Sequence, residues 1–194
     1  MKTTHLLTVA LPCLLLTVAT AAQAAPSAAE AQKPVKTLIN SIRYGKYDLA
    51  AKQLAFAEMV KRLLADSATK FTADEQKELA TGIETIIRAD SFTKGKDKFQ
   101  YLDSVVYEDP RDQGTDVVCK STIVIYNKVK KTELVIDWVL FKDGGAYKIV
   151  DMVLLGESTV AGIREDQIQP LLSEGGSAKV IEFLRKKVAE VTKK

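Results

Sequence analysis

Histidine is almost absent from this chain: the one copy is His5, near the start. Cysteine is nearly as scarce, with Cys13 and Cys119, and Trp138 is the sole tryptophan. No charge of either sign dominates, the formal net being +3 in 194 residues. The longest apolar run, residues 6–18, is too short to span a bilayer. Each scarcity excludes something. If His5 leaves with a cleaved leader, no imidazole remains for acid-base work, nucleophile activation or metal ligation. Cys119 then has no partner for an internal disulfide or a cysteine-rich zinc site, and in a strand-like run it reads as a packing residue. Serine-histidine, cysteine-histidine and zinc chemistries drop out, leaving carboxylate, lysine or tyrosine chemistry. Near-neutral charge gives no basic field to favour nucleic acid or a strong electrostatic hold on membranes.

The leader is legible in what is present. Lys2 supplies a positive start, residues 6–18 an apolar core, and Ala22-Gln23-Ala24 a small-residue cleavage motif. Leu11-Pro12 before Cys13 does not fit a lipidation box, which wants small residues there. Residues 1–24 therefore read as a secretory signal peptide, 25–34 as a flexible N-terminal segment, and 35–192 as a single domain large enough to bury a core without staples.

Residues 132–141 alternate and then crowd with apolar side chains. Leu134, Ile136, Trp138 and Leu140 fall on one strand face, while Val135, Val139 and Phe141 share the other with Glu133 and Asp137. Asp143-Gly144-Gly145 is a turn signal, and residues 147–155 form a second apolar run, so the pair reads as a long hairpin. Residues 99–107 and 115–126 predict two earlier strands, separated by Asp109-Pro110 and Gln113-Gly114. Helical spacing predicts one helix over 35–43, ended by Gly45, and another from Asp48 through about residue 64. Thr72-Ala73-Asp74-Glu75 is a capping box that starts a third. Further helices follow Ser158, interrupted by Pro170 and Gly175-Gly176. The order of helices, four strands and helices predicts an α+β fold: a curved antiparallel four-stranded sheet wrapped by N- and C-terminal helices.

Several phrases in this order, Asp137-Trp138, Tyr147-Lys148-Ile149-Val150-Asp151, Gly156-Glu157-Ser158, Ile163-Arg164-Glu165-Asp166-Gln167-Ile168 and Gly175-Gly176, resemble the motifs of the MlaC family of toluene-tolerance proteins. The resemblance covers about residues 133–188. Tyr147 stands where tryptophan is commoner, and Ile168 where phenylalanine is usual. The resemblance implies a cone-shaped sheet like that of nuclear transport factor two. It also implies a periplasmic carrier, not an enzyme, taking phospholipid as cargo between an outer-membrane lipoprotein complex and an inner-membrane ABC transporter, without cofactor or metal. A monomer is expected.

Carrying a diacyl lipid through water is a burial problem. Two chains of roughly 14 carbons, at about 0.8 kcal/mol per methylene, represent on the order of 20 kcal/mol of exposure to avoid. A deep apolar cavity of roughly 1,000 Å³ is needed. The candidate walls are Leu134, Ile136, Trp138, Leu140, Val150, Met152 and Leu154 on the sheet, opposite Val60, Leu63, Ile83 and Ile87 on the helices. Trp138 is the candidate for a pocket edge, and Arg164 and Lys148 are candidates to meet the head-group phosphate. This function requires the sheet face to stand apart from the helical stripes. The alternative is a small enzyme on the same fold, with Asp103, Asp137 or Asp151 and a tyrosine acting on an apolar ligand.

Overall fold

Ser27 adopts an extended backbone and its hydroxyl accepts from the Glu30 N–H at 3.3 Å, which starts α1 (Ala28–Arg43). The computed structural model describes residues 27–193; the leader expected at residues 1–24 lies outside them. Most of the segment expected to be flexible, residues 25–34, is therefore helical from Ala28 onward. Pro34 sits inside α1, and the helix runs through it because the apolar stripe Ala31, Val35, Leu38, Ile39 and Ile42 is buried as a unit.

The helix expected from Asp48 to about residue 64 is broken in two, α2 (Tyr47–Ala51) and α3 (Phe56–Leu64). Between them Leu54 bridges Ile149, the Ile149 N–H donating to the Gln53 carbonyl at 2.8 Å and the Ala55 N–H to the Ile149 carbonyl at 3.0 Å. The break covers part of an otherwise open sheet edge. A 3-10 turn leads to α4 (Ala73–Ile86), which starts at Thr72 with both bonds of the predicted capping box. A π-helical turn (Ile87–Ser91) joins α4 to α5 (Phe92–Phe99).

Six strands follow: β1 (Leu102–Tyr107), β2 (Arg111–Gln113), β3 (Asp116–Asn127), β4 (Lys130–Asp143), β5 (Ala146–Leu154) and β6 (Glu157–Ser158). They form one antiparallel sheet in the order β1-β3-β4-β5-β6, with β2 also on β3. The four predicted strands are its long members. The two short ones, of three and two residues, carry too little periodicity to be legible as strands. After β6 come α6 (Thr159–Ile163), a π-helical turn (Arg164–Ile168) and α7 (Gln169–Thr192), broken at Gly175 and Gly176, where φ reaches +66° at Gly176. Among the described residues no helix is long and apolar enough to cross a membrane.

Two separate apolar cores result. The first joins α1, α2 and α5 to one face of the sheet, through Val35, Leu38, Ile39 and Phe92 above and Cys119, Ile123, Ile136, Trp138, Leu140 and Ile149 below. The second is made of helices and the turns joining them, with Val60, Leu63, Leu64, Leu79, Ile168, Val180, Ile181 and Leu184. Within it α4 and α7 approach closely at Gly82, where a Cβ would lie 2.7 Å from a Leu184 methyl.

Carboxylates reinforce that helix pair. Glu78 accepts two bonds from Arg185, at 2.6 and 2.9 Å, and Glu75 accepts from Ser177 at 3.1 Å. The Arg185 guanidinium holds the Glu78 carboxyl below its ordinary range, and the Thr72 backbone N–H, aided by Ser177, does the same for Glu75. A carboxylate with a depressed folded pKa adds stability above its unfolded pKa and loses it as pH falls through the folded value. Thermal melts taken from pH 7 to pH 3 are therefore expected to show α4 and α7 loosening below about pH 4.5. Glu78→Gln should flatten part of that slope; an unchanged acid profile would show that these pairs do not stabilise the fold.

Candidate functional site

The register decides which side chains share a face. Leu134, Ile136, Trp138 and Leu140 stand opposite Ile123, Ser121, Cys119 and Val117 of β3, and Ile136 and Trp138 oppose Leu154 and Met152 of β5. Six of the seven predicted sheet residues thus lie on one apolar floor. Val150 is the exception. Between Val139 and Leu140 the register shifts, so Asp151 pairs with Val139 and Ile149 with Leu140, leaving Val150 as the extra residue of a β-bulge. Ile149 takes the floor position that strict alternation assigned to Val150. Both are buried.

The helical residues divide differently from the expectation. Val60 and Leu63 belong to the helical core and Ile83 packs against it; Ile87 packs against the floor core. The floor is covered instead by α1, whose N-terminal half is also tied to the end of β1: the Gln32 side-chain amide donates to the Glu108 carbonyl at 3.1 Å, and the Lys36 ammonium lies 5.0 Å over the Tyr107 ring. The sheet face and the helices opposite are consequently in contact along residues 136–140 instead of standing apart. Amphipathic stripes specify that a helix buries one side, not which surface it meets.

Trp138 occupies the middle of this floor, not an edge, at 3% exposure. Its indole N–H donates to the Ser121 hydroxyl at 2.8 Å, which satisfies the buried serine within an apolar layer. Opposite Trp138, burial pushes the Cys119 thiol up to about 11, so it stays protonated at neutral pH and acts as packing.

Followed toward the β3–β4 turn, the same face changes character. Along β4 the floor positions read Leu140, Trp138, Ile136, Leu134, Thr132, Lys130, from fully buried to exposed; along β3 they end in Ile125 and Asn127. The cover of helices stops here. An open hollow of about 310 Å³ lies between the end of α5 and the β3–β4 turn, lined by Asp97, Lys98, Tyr101, Ile125, Asn127, Lys130, Thr132 and Leu134. A second open hollow, of about 430 Å³, is lined by Ala51 and Phe56 with Asp48, Lys52, Glu84 and Arg88. There Arg88 is held by both Asp48 and Glu84. Lys98, Tyr101, Asn127 and Lys130 were not among the residues anticipated, although the alternation 134, 132, 130 continues through Lys130.

The anticipated head-group cations are engaged elsewhere. Lys148 pairs with Asp143 at 2.7 Å beside the β4–β5 turn, and Arg164 with Glu165 at 3.3 Å in the π-helical turn after α6. The structure does not bring them together at either hollow.

The carboxylates of the enzymatic alternative lie away from the floor. Asp137 and Asp151 sit on the opposite sheet face; Asp137 accepts from Arg111 at 2.6 Å, its other oxygen being buried without a hydrogen-bond partner. Asp151 accepts from the backbone N–H groups of Met152 at 2.7 Å and Val160 at 3.0 Å, and from the Ser158 hydroxyl, whose oxygen in turn accepts from the Ala161 N–H. It anchors the corner from β5 into α6. Asp103 is exposed on β1 beside Ser104. Replacing Asp151 by alanine strands two backbone donors and is expected to cost about 2 kcal/mol, with faster amide exchange at Val160; unchanged exchange there would show that the corner holds itself without this side chain. Among the described residues no group of three or more His, Cys, Asp or Glu is placed to hold a metal.

No curated protein matches the sequence. Among solved structures, a phospholipid-binding protein from Ralstonia solanacearum, in complex with a phospholipid, superposes with a TM-score of 0.70. It is 17% identical, and the match covers 87% of this chain and 99% of that one. At that identity the likeness is one of fold: the α+β arrangement with an open antiparallel sheet is shared. The model of the MlaC protein family matches residues 28–186, from the first turn of α1 through most of α7, and the chain belongs to that family.

Proposed function

We propose that this protein is a phospholipid carrier that takes acyl chains against the apolar floor of its sheet and leaves the head group in water. It works in the periplasm, moving lipid between an outer-membrane complex and an inner-membrane transporter, and performs no chemistry on its cargo. The observation that carries the reading is the graded floor: about 20 Å of sheet face, from Thr132 to Trp138, that passes from polar at an open mouth to dry beneath α1. A lipid has the same gradient. Family membership and the phospholipid held by a relative of the same fold support it.

The floor is covered by α1, so carriage requires that cover to lift and open the slot; the cover is apolar and non-directional, and alkyl chains then replace side-chain contacts with contacts of the same kind. The second, helical core is separate from the floor. The α4–α7 pair therefore keeps its own packing while α1 and α5 lift from the sheet. Enzymatic action on an apolar ligand is disfavoured because Asp137 and Asp151 lie on the far side of the sheet, each already bonded.

Extraction of the purified protein into organic solvent, followed by mass spectrometry, tests the reading. Phospholipid in stoichiometric amount is the expected result. Protein that carries no lipid as purified and takes none from vesicles would overturn it.

A further inference from the structure

The mouth of the floor contains two cations that no carboxylate holds. Among the described residues several basic groups are already ion-paired, including Arg62 with Asp116, Arg88 with Glu84, Lys131 with Glu133, Lys148 with Asp143 and Arg164 with Glu165. Lys98 at the end of α5 and Lys130 at the start of β4 line the hollow of about 310 Å³ and form no such pair. They flank it from two sides, one from the helical cover and one from the sheet. Tyr101 and Asn127 add a hydroxyl and an amide, and the floor between is Ile125 and Leu134.

We infer that Lys98 and Lys130, with Tyr101 and Asn127, form a subsite for the phosphodiester of the lipid head group. The inference rests on the carrier reading and places one end of the cargo. Three features favour it. The hollow lies where the dry floor surfaces, so a phosphate there leaves its acyl chains pointing along Leu134, Ile136 and Trp138. Two ammonium groups against the single carboxylate of Asp97 leave one net positive charge, which matches a monoanionic phosphodiester. Lysine suits the task as a compact point charge on a flexible stem that tolerates different head groups. By contrast, an anion approaching Arg88 in the other hollow must compete with Asp48 and Glu84.

The test uses the full mature chain stripped of lipid and then incubated with phosphatidylglycerol vesicles, with uptake measured by mass spectrometry. The double variant Lys98→Ala/Lys130→Ala is expected to take up about five- to tenfold less lipid than the wild type at about 50 mM salt, and the gap should narrow at about 300 mM. Its melting curve should match that of the wild type, since both side chains are exposed. Diacylglycerol, with the same tails and no phosphate, should load both proteins equally. The control Lys148→Ala/Arg164→Ala should load phosphatidylglycerol as the wild type does. Equal phosphatidylglycerol uptake by wild type and Lys98→Ala/Lys130→Ala would overturn the subsite and leave the carrier reading standing. A wild type that takes up neither lipid would remove both. Inorganic phosphate that binds the stripped wild type but not Lys98→Ala/Lys130→Ala, and that leaves phosphatidylglycerol uptake unchanged, would assign the lysines to a free anion and overturn the head-group assignment.

Discussion

Trp138→Ala is expected to lower the unfolding free energy by about 3–5 kcal/mol, the usual cost of truncating a large buried aromatic. The indole lies at the centre of the floor at 3% exposure, opposite Cys119 and Met152 and within the same core as the α1 stripe. Its loss leaves a cavity and strands the Ser121 hydroxyl, which has 0% exposure and whose partner is the indole N–H. For a domain of this size the change corresponds to a fall in Tm of roughly 10 °C. Trp138→Phe separates the two contributions, because it retains most of the ring but not the donor; about 1–2 kcal/mol should be lost. Denaturant unfolding measures both. If alanine at 138 unfolds with the wild-type midpoint, the contact between α1 and the floor contributes nothing to stability.

What could be read from the sequence, and what could not, follows from the range of the physical signals. Thr72 and Glu75 meet within one helical turn, so the start of α4 was visible in four letters. The alternation from Leu134 to Leu140 is likewise local, and the floor it predicts is present. Three features depend on distant parts of the chain. The break between α2 and α3 exists because Gln53 and Ala55 bond the backbone of Ile149, nearly a hundred residues away. The bulge that exchanges Ile149 for Val150 arises from how β4 and β5 fit together, which side-chain alternation along one strand does not report. Helical spacing placed the start of the first helix at residue 35, yet the burial of Ala31 and Val35 on either side of Pro34 extends α1 back to Ala28. Local alternation therefore puts the sheet residues on one face, apart from Val150, whereas a helical stripe does not name its partner, and Val60 and Leu63 share a core with Leu79 and Leu184 instead of the floor.

Loading the stripped protein with phospholipid should raise its Tm by roughly 10 °C. A ligand that binds the folded state alone adds RT ln(1 + [L]/Kd), about 2.7 kcal/mol at a hundredfold excess over Kd and about 4.1 at a thousandfold, and each kcal/mol moves Tm by about 2–4 °C in a domain of this length. The rise should come with increased amide exchange in α1, because tails occupying the floor beneath Val35 and Ile39 displace the stripe that now covers it. Exchange in α4 and in α7 beyond Gly176 should stay low, since Leu79, Val180 and Leu184 pack among themselves and the Glu78–Arg185 pair does not touch the floor. This combination distinguishes carriage on the floor from lipid adhering to the outside. An adhering lipid would leave α1 as protected as before. A filled floor that never opens would leave the melting curve unmoved as well, because the covered face would then have no apolar surface left to offer the cargo.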